Sequence, residues 1–205
     1  MKKYFTRYKR SIAMESRSIT LIGCLLAAMV ISVSVAASTT PPTEGGILPD
    51  IILESPQDAV HRSYLGLKGK ESFKIPEIRA SVVIIEIFSM YCPHCQREAP
   101  TINEIYRKIE GTPELKNKVK IIGIGVGNSA FEVQHFKKTY DIPFPLFPDG
   151  DFKIHKQLGE VRTPYFIGVR IGEDGSHNVF YSSLGGPKDA GAMLDDLIHK
   201  SGLSE

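Results

Sequence analysis

The feature that most constrains this chain is an apolar run, Val82–Phe88, that leads directly into Cys92-Pro93-His94-Cys95. The run, in which only Glu86 is polar, predicts a strand buried on both faces, as in parallel or mixed sheets. A helical pattern follows at once, with apolar residues at 102, 105, 106 and 109 on one face. The sequence therefore predicts that the cysteine pair lies where a central strand passes into a helix.

The position of Cys92 at the start of a helix has a chemical consequence. The thiolate rather than the thiol attacks disulfides, and a helix N-terminus stabilises negative charge through its dipole and unpaired N–H groups. Pro93 suits the first turn because its missing N–H costs nothing there. Cys95 follows on the same side of that turn, close enough for a small disulfide ring. We assign Cys92 as the nucleophile and Cys95 as the resolving thiol.

Two other roles for the cysteine pair are a structural disulfide and half of a zinc site. Metal sites of this kind usually need a second ligand pair, and none follows at suitable spacing. The remaining histidines also show no ligand spacing with the cysteines, and we expect them on the surface or in loops: His61, His135, His155, His177 and His199. We therefore predict redox chemistry with no metal and no cofactor.

The stretch around the cysteines resembles the active site of the thioredoxin superfamily, and Glu-x-Phe-Ser-x-x-Cys-Pro-His-Cys is similar to the DsbA type. Pro100 matches the helix-kinking proline that thioredoxins carry at this distance from the first cysteine. Residues 161–167, Val-Arg-Thr-Pro-Tyr-Phe-Ile, resemble the cis-proline loop and its following strand. The resemblance implies a cis bond between Thr163 and Pro164, with the Thr163 backbone beside Cys92 and ready to pair with an extended substrate.

Glu86 is a carboxylate within the strand that we predict to be buried. Burial of a carboxylate is costly, so the group tends to hold its proton. The superfamily places an acidic residue here, and the resemblance implies that Glu86 relays protons to and from Cys95 during exchange. The alternative is a carboxylate at a strand end that reaches water or a lysine.

His94 lies between the cysteines. As an imidazolium, or by donating a hydrogen bond, it would stabilise the Cys92 thiolate; otherwise it is a solvent-facing residue of the first turn, since histidine charge is marginal at neutral pH. With the stabilising role, we expect the pKa of Cys92 well below the free value of about 8.5. Pro93 and His94 are thus the candidate residues for tuning the thiolate.

The N-terminus predicts an export signal. Basic residues dominate positions 1–18, positions 19–35 are apolar and uncharged, and small residues end the apolar segment at Val35-Ala36-Ala37. We expect cleavage near Ala37, with retention of 19–35 as an inner-membrane anchor as the alternative. Cys24 superficially matches a lipoprotein box, but most of the apolar run comes after it, which favours an ordinary leader residue.

Loss of the leader leaves cysteines only in the one motif, which suits a periplasmic or other extracytoplasmic location. The chain has 25 basic and 23 acidic residues, and no basic stripe indicates nucleic-acid binding. Residues 38–49, rich in Pro, Gly and Thr, predict a linker too polar and too broken to pack. The predicted organisation is a signal peptide or anchor at 1–37, this linker, and one domain at 50–205.

The rest of the chain predicts alternating strands and helices. A strand and a hairpin are expected loosely over 50–73. After the cysteine helix we expect a buried strand at Val119–Val126, a helix capped by Ser129 and Glu132, a short edge strand at 144–147, a short helix at 152–158, a hairpin of Tyr165–Ile171 with 178–183, and a last helix opened by Gly186-Pro187. This order fits a thioredoxin-like α/β fold, a central mixed sheet flanked by helices.

The predicted function is an exported thiol–disulfide oxidoreductase acting on protein thiols or disulfides, with a membrane or periplasmic redox partner. Pro93-His94 resembles DsbA, an oxidant. The helix–strand pair inserted before the proline loop resembles the TlpA/ResA branch, usually reductants, and also the peroxiredoxins. We favour the TlpA/ResA-like family and leave the direction of electron flow open.

Two alternatives come from other classes. Ser89-Met90-Tyr91-Cys92 is similar to the peroxiredoxin Thr/Ser-x-x-Cys, although Ile85 stands where that motif has proline and Cys95 is foreign to it. A copper-binding carrier like the Sco proteins would use Cys-x-x-x-Cys, which is longer by one residue than the spacing here.

Overall fold

The computed structural model describes residues 40–203 with the exception of Lys70 and Pro187. The chain divides into two units, Met1–Ala36 and Ala37–Glu205, and the described residues all belong to the second. The predictions for the leader, including Cys24 and the apolar segment 19–35, lie outside them.

The described chain forms strands β1 (Ile52–Glu54), β2 (Ser72–Lys74), β3 (Val82–Phe88), β4 (Val119–Val126), β5 (Leu146–Asp149), β6 (Tyr165–Ile171) and β7 (His177–Leu184). The helices are α1 (Ala59–Leu65), α2 (Pro93–Gly111), α3 (Pro113–Lys116), α4 (Ala130–Thr139), α5 (Lys153–Gln157) and α6 (Ala190–Ser201). A short 3-10 turn, Ile75–Glu77, follows β2. None of the helices in this part of the chain combines the length and apolar character needed to cross a bilayer.

Strand β3 lies at the centre of a five-stranded sheet in the order β5-β4-β3-β6-β7. It is parallel to β4 and antiparallel to β6, so the sheet is mixed. Every residue of β3 and β4 is buried, which explains why both read as apolar runs rather than alternating patterns. The predicted mixed sheet flanked by helices is confirmed.

Two hydrophobic clusters cover the two faces of the sheet, because successive strand residues point to opposite sides. Val82, Ile84 and Phe88 pack with α2, α4 and α6, whereas Val83, Ile85 and Ile87 pack with β1, β2, α1 and α5. Strand β3 is thereby held on both faces and both edges. The residues that follow its last position, Phe88, are anchored to the most constrained strand of the fold.

The N-terminal part of the domain differs from the expected strand and hairpin: β1 pairs antiparallel with β2 in a separate two-stranded sheet, and a helix rather than a tight turn connects them. Helix α1 lies between these strands and was not predicted. Its signals are short-range: the Asp58 carboxylate accepts a hydrogen bond from the Val60 N–H at 2.8 Å, and Gly66 ends the helix at φ 69°. A helix of only seven residues gives too short a periodic pattern to stand out in the sequence.

Residues 40–49 pack against the domain, which differs from the linker expected over 38–49. Gly45 donates its N–H to Val179 O and Val179 donates to Gly46 O, each at 2.8 Å, and Leu48 donates to His177 O at 3.1 Å. The segment pairs with the edge strand β7 through backbone groups, which needs no apolar pattern. The polar composition of residues 40–49 therefore did not prevent the pairing.

The structure confirms or moves the predicted starts of two helices and of the edge strand. The Ser129 and Glu132 capping box begins α4, as expected. Strand β5 is indeed an edge strand, but it starts at Leu146. Helix α6 begins at Ala190, because the Asp189 carboxylate accepts from the Ala192 N–H at 2.7 Å, and an aspartate N-cap satisfies an otherwise unpaired N–H. The expected start at Gly186-Pro187 was too early.

Candidate active site

Cys92 is the N-cap of α2, with an extended backbone (φ −85°, ψ 113°), and it is half-buried. Its N–H donates to Ser89 O at 3.0 Å, which closes a turn at the end of β3. Pro93 is the first residue of the helix. Cys95, one turn further on, is fully buried. The two sulfurs therefore differ in access, with only Cys92 open to a reaction partner.

The proline loop lies beside Cys92. The register of β3 with β6 pairs Ile87 with Tyr165, so the residues just before β6 meet the carboxyl end of β3. The Cys92 thiol donates to the Thr163 carbonyl oxygen at 3.4 Å. The peptide bond between Thr163 and Pro164 is cis. Antiparallel pairing thus brings together the two segments that the sequence analysis selected.

Opposing effects act on the pKa of Cys92. Partial burial raises it, but the Thr163 side chain, the N–H and thiol of Cys95 and the backbone N–H of His94 form hydrogen bonds that lower it. The net result is a pKa of Cys92 below the ordinary thiol value. A lowered pKa gives a larger thiolate fraction at neutral pH, and the thiolate is the nucleophile.

Cys95 shifts in the opposite direction. Burial is the main cause that raises its pKa, with further contributions from the hydrogen bond to Cys92 and from the negative charges of Glu86 and Cys92, while the Ser89 backbone opposes the change. Environments that separate the pKa values of two neighbouring groups also separate their chemical roles. Cys92 is the sulfur that ionises readily, and Cys95 is the one that keeps its proton.

Glu86 lies in the middle of the sheet, paired in register with Gly123 of β4 and Phe166 of β6. Its side chain is buried, with a relative exposure of 3%, so it does not reach water as the alternative reading required. Burial, and then the charges of Glu98 and Cys92, raises the pKa of Glu86 to about 8. A carboxyl group with that pKa holds its proton at neutral pH and can still release it.

A second carboxylate, Glu98, was not singled out from the sequence. Burial raises its pKa, whereas the Gly186 N–H and the charges of His94 and Arg97 lower it. Its Oε2 is buried without a hydrogen-bond partner and lies against Gly186, where there is no room for a side chain. Its position three residues after Cys95 places it on the same side of α2, and that spacing was the available signal.

The structure assigns His94 a different contribution from the one expected of its ring. The ring is exposed, and its Nδ1 lies 2.8 Å from Arg97 Nη2. The ring nitrogen therefore contacts the Arg97 guanidinium. The group of His94 that lowers the pKa of Cys92 is the backbone N–H.

The loop between β3 and α2 is held by side chains from α2 and from the segment that follows β4. Asn128, fully buried, accepts from the Met90 N–H at 2.8 Å through Oδ1. Gln96 donates to Met90 O at 2.7 Å, and the Tyr91 hydroxyl donates to Glu132. The sequence carries no signal for these contacts, because Asn128 is an ordinary loop residue until the fold brings β3 and β4 together.

The described part of the chain contains no group of three or more His, Cys, Asp or Glu side chains placed to hold a metal ion.

The comparison with known families decides where this domain belongs. The profile of the AhpC/TSA family matches residues 50–176. The chain belongs to the AhpC/TSA family. The match covers both cysteines and the proline loop, and it ends before β7 and α6.

The chain is similar in sequence to several bacterial proteins named thiol–disulfide oxidoreductase ResA. The protein from Bacillus thuringiensis subsp. konkukian is 29% identical over 99 residues, which is 48% of this chain and 53% of that protein. The one from Geobacillus thermodenitrificans is 24% identical over 153 residues, 74% of this chain and 78% of that protein. The chain thus spans about half the length of the first of these relatives.

A solved structure shows the same fold. A Chlorobium tepidum protein described as a thiol:disulfide interchange protein DsbE aligns with a TM-score of 0.58 and 16% identity, covering 78% of this chain and 99% of that one. At this identity the likeness supports a thioredoxin-like fold for the AhpC/TSA domain and nothing about its substrate.

Proposed function

We propose that this protein is an exported thiol–disulfide oxidoreductase that exchanges disulfides with protein thiols through Cys92 and Cys95. The observation that carries the proposal is the contrast between the two sulfurs: Cys92 is accessible, with a lowered pKa, and Cys95 is buried, with a raised one. This is the division of labour between an attacking and a resolving thiol. The names of the relatives favour it over the peroxidase and copper-carrier alternatives.

In the reducing direction, the Cys92 thiolate attacks one sulfur of a substrate disulfide. The substrate S–S bond breaks, a Cys92–substrate disulfide forms, and the other substrate sulfur leaves as a thiolate that takes a proton. Cys95 then loses its proton and attacks the Cys92 sulfur, which releases the second substrate thiol. The substrate gains two electrons and the protein ends with a Cys92–Cys95 disulfide. The oxidising direction is the reverse of these steps.

Cys95 must lose a proton in the second step, although its environment raises its pKa. Glu86 is the proposed proton relay: it first releases its own proton, and its ionised form then accepts the proton of Cys95. It is buried in the adjacent strand, it interacts electrostatically with both sulfurs, and its pKa of about 8 suits proton exchange near neutral pH. Glu98 contributes by raising the pKa of Glu86 through its negative charge.

Thr163 and Pro164 are proposed to position the substrate chain. The Thr163 carbonyl faces the Cys92 sulfur, and free backbone groups of an irregular loop can pair with an extended peptide. A protein segment held in this way would present its sulfur to Cys92 along the loop.

Export is supported by the basic and apolar pattern of residues 1–37 and by the confinement of the remaining cysteines to one motif. We propose a periplasmic location, with a membrane or periplasmic protein as the redox partner. Residues 19–35 would serve as an inner-membrane anchor if the leader is retained. Fractionation of the full chain with a C-terminal tag distinguishes a released protein from an anchored one, and recovery in the cytoplasm contradicts export.

A trapping experiment tests the exchange reaction. The Cys95→Ser variant should accumulate a covalent complex with a disulfide-containing protein substrate, because no thiol remains to resolve it. Cys92→Ser is the matched control and should form none. If Cys95→Ser forms no complex that reductant dissolves, or if the wild type consumes peroxide rapidly and exchanges no disulfides, the proposed function is wrong.

The direction of electron flow is a separate measurement. Equilibration of the full chain with glutathione gives the reduction potential of the Cys92–Cys95 pair. A value near about −120 mV indicates an oxidant, and a value below about −250 mV indicates a reductant.

A further inference from the structure

Two aromatic side chains that line one hollow near the active site are exposed, although each has a contact that holds its ring. Tyr91 has a relative exposure of 65% and Phe152 of 45%. Both line an open hollow of about 530 Å³ whose lining includes Thr163, the residue whose carbonyl contacts the Cys92 sulfur. The hollow is therefore continuous with the place where a reacting sulfur must approach.

Phe152 is the more informative of the two. Its backbone is left-handed, with φ 58° and ψ 20°, a conformation that bulky residues rarely adopt. Its ring lies over Gly127, where a Cβ would come within 2.7 Å of the ring carbon Cζ. The Phe152 ring therefore packs in the space that Gly127 leaves open, yet nearly half of the residue remains exposed. Burial in the core does not explain why a phenylalanine stands at this position.

Tyr91 forms another part of the lining. Its hydroxyl donates to Glu132, and Glu132 also caps α4 by accepting from the Ser129 N–H at 2.7 Å. The ring is thus fixed through the first turn of a helix. Single exposed apolar residues are common on protein surfaces. Two aromatic rings, each fixed and both bordering one hollow next to the nucleophile, are better explained by a bound apolar group.

The deeper lining of the hollow is also apolar. Val126 and Val161 contribute to it and are themselves buried. The charged groups of the lining are Glu160 and Arg162, which carry opposite charges, and the ring of His155 is bound through Nε2 to Val161 O at 2.8 Å. Opposite charges give no net preference for a charged ligand, so the aromatic rings decide the selectivity.

We infer that Tyr91 and Phe152 determine substrate specificity, by binding a large apolar side chain next to the reacting cysteine of an extended protein segment. The inference rests on the proposed exchange function and adds the substrate class: cysteines with an apolar neighbour, of the kind that folded proteins bury and unfolded chains expose. Cysteines flanked by polar residues react by the same steps but without this contact.

Peptide pairs test the inference. Each pair differs only in having Phe or Ser beside a single cysteine, before it in one pair and after it in the other, and the cysteine is linked by a disulfide to glutathione. The reduced full chain should reduce the Phe peptide of at least one pair about tenfold faster, the gain typical of burying part of one ring. The measured quantity is the ratio of the second-order rate constants.

Two variants at one position isolate the ring. Phe152→Asn removes it while keeping a residue that tolerates the left-handed backbone, and it should lower the ratio to below about threefold. Phe152→Tyr keeps a ring and should keep the ratio. Val60→Ala, a change at an exposed apolar residue that does not line the hollow, is the matched control and should leave the ratio unchanged.

The outcomes separate the two proposals. Ratios near one in both pairs, or a preference that survives Phe152→Asn, overturn the inference while leaving the exchange function in place. Rates for both peptides no higher than those of Cys92→Ser contradict the exchange function itself.

Discussion

The thiol of Cys92 lies 3.4 Å from the backbone carbonyl oxygen of Thr163, a residue 71 positions further along the chain. The contact exists because β6 runs antiparallel to β3, so that the start of one strand meets the end of the other. This contact joins the nucleophile to the loop proposed to hold the substrate. A substitution in the loop should therefore change the properties of the Cys92 thiol.

The Thr163 hydroxyl can be removed without changing the size of the side chain. Because the Thr163 side chain lowers the pKa of Cys92, Thr163→Val should raise that pKa and slow alkylation by iodoacetamide at pH 6 to 7. Thr163→Ser, which keeps a hydroxyl, is the control and should retain most of the shift. The pH dependence of the alkylation rate measures both, and equal pKa values for the Val and Ser variants contradict the prediction.

A pair of variants at His94 separates the ring from the backbone. The backbone N–H of His94 lowers the pKa of Cys92, while the ring nitrogen Nδ1 is bound to Arg97. His94→Pro removes the N–H, so it should raise the pKa of Cys92; proline is tolerated in the first turn of a helix. His94→Ala removes only the ring and should change that pKa much less.

Thiolate absorbance near 240 nm, followed against pH, reports the pKa of Cys92 in both His94 variants. Cys92→Ser gives the background from Cys95 and the tyrosines. If His94→Ala raises the pKa as much as His94→Pro does, the ring is the stabilising group and the assignment to the backbone is wrong.

Glu86 links stability to pH. Its pKa in the folded protein is about 8, above the ordinary value of 4.5, so between these values the native state binds more protons than the unfolded state. The free energy of unfolding should therefore fall as pH rises through this window. Glu86→Gln cannot ionise and should not show this loss, which corresponds to roughly 5 kcal/mol.

Urea unfolding of wild type and Glu86→Gln at pH 5 and pH 9 measures this difference. Glu132→Gln serves as a control, because its carboxyl has its pKa lowered to about 2 and stays ionised across the same window. A stability difference between wild type and Glu86→Gln that is the same at both pH values excludes the buried, proton-holding carboxyl.

The same Glu86→Gln variant tests the proton transfer. Without a group to accept the Cys95 proton, release of the mixed disulfide should slow while attack by Cys92 continues. Stopped-flow measurements separate the two steps. Exchange rates of Glu86→Gln that match those of the wild type between pH 6 and 9 would contradict the proton-relay role of Glu86.

Asn128 supports the active-site loop from the loop that follows β4. Asn128→Ala leaves the Met90 N–H without its acceptor at 2.8 Å, and an unsatisfied buried donor costs about 1–3 kcal/mol. We expect a loss of that size in the free energy of unfolding, and a pKa of Cys92 closer to the ordinary thiol value because the turn before the helix loosens. Gln134→Ala, an exposed change on α4, is the control. An unfolding free energy equal to that of wild type shows that the hydrogen bond does not hold the loop.

Local patterns and family resemblance accounted for much of the fold. Strands β3 and β6 have the predicted bounds, because a buried strand needs an unbroken apolar run that few other segments provide. The strand-to-helix pattern selected Cys92 and Cys95, and the family resemblance selected Pro164, because their spacing and neighbours are local features. Helix α1 and the pairing of residues 45–48 with β7 were not predicted, since the helix depends on a short cap and the pairing on backbone groups that carry no side-chain signal.

The sequence by itself determined which segments must be buried and that a cysteine begins a helix, because hydrophobic periodicity and helix-capping preferences act over a few residues. The tertiary structure alone decided that Glu98 lies against Gly186, that Asn128 holds Met90, and that His94 acts on Cys92 through its backbone. Those contacts join residues of different elements, and they depend on the order and register of the strands. The pKa shifts of the thiols and carboxyl groups at the site follow from the same packing, because burial and neighbouring charge are properties of the assembled fold.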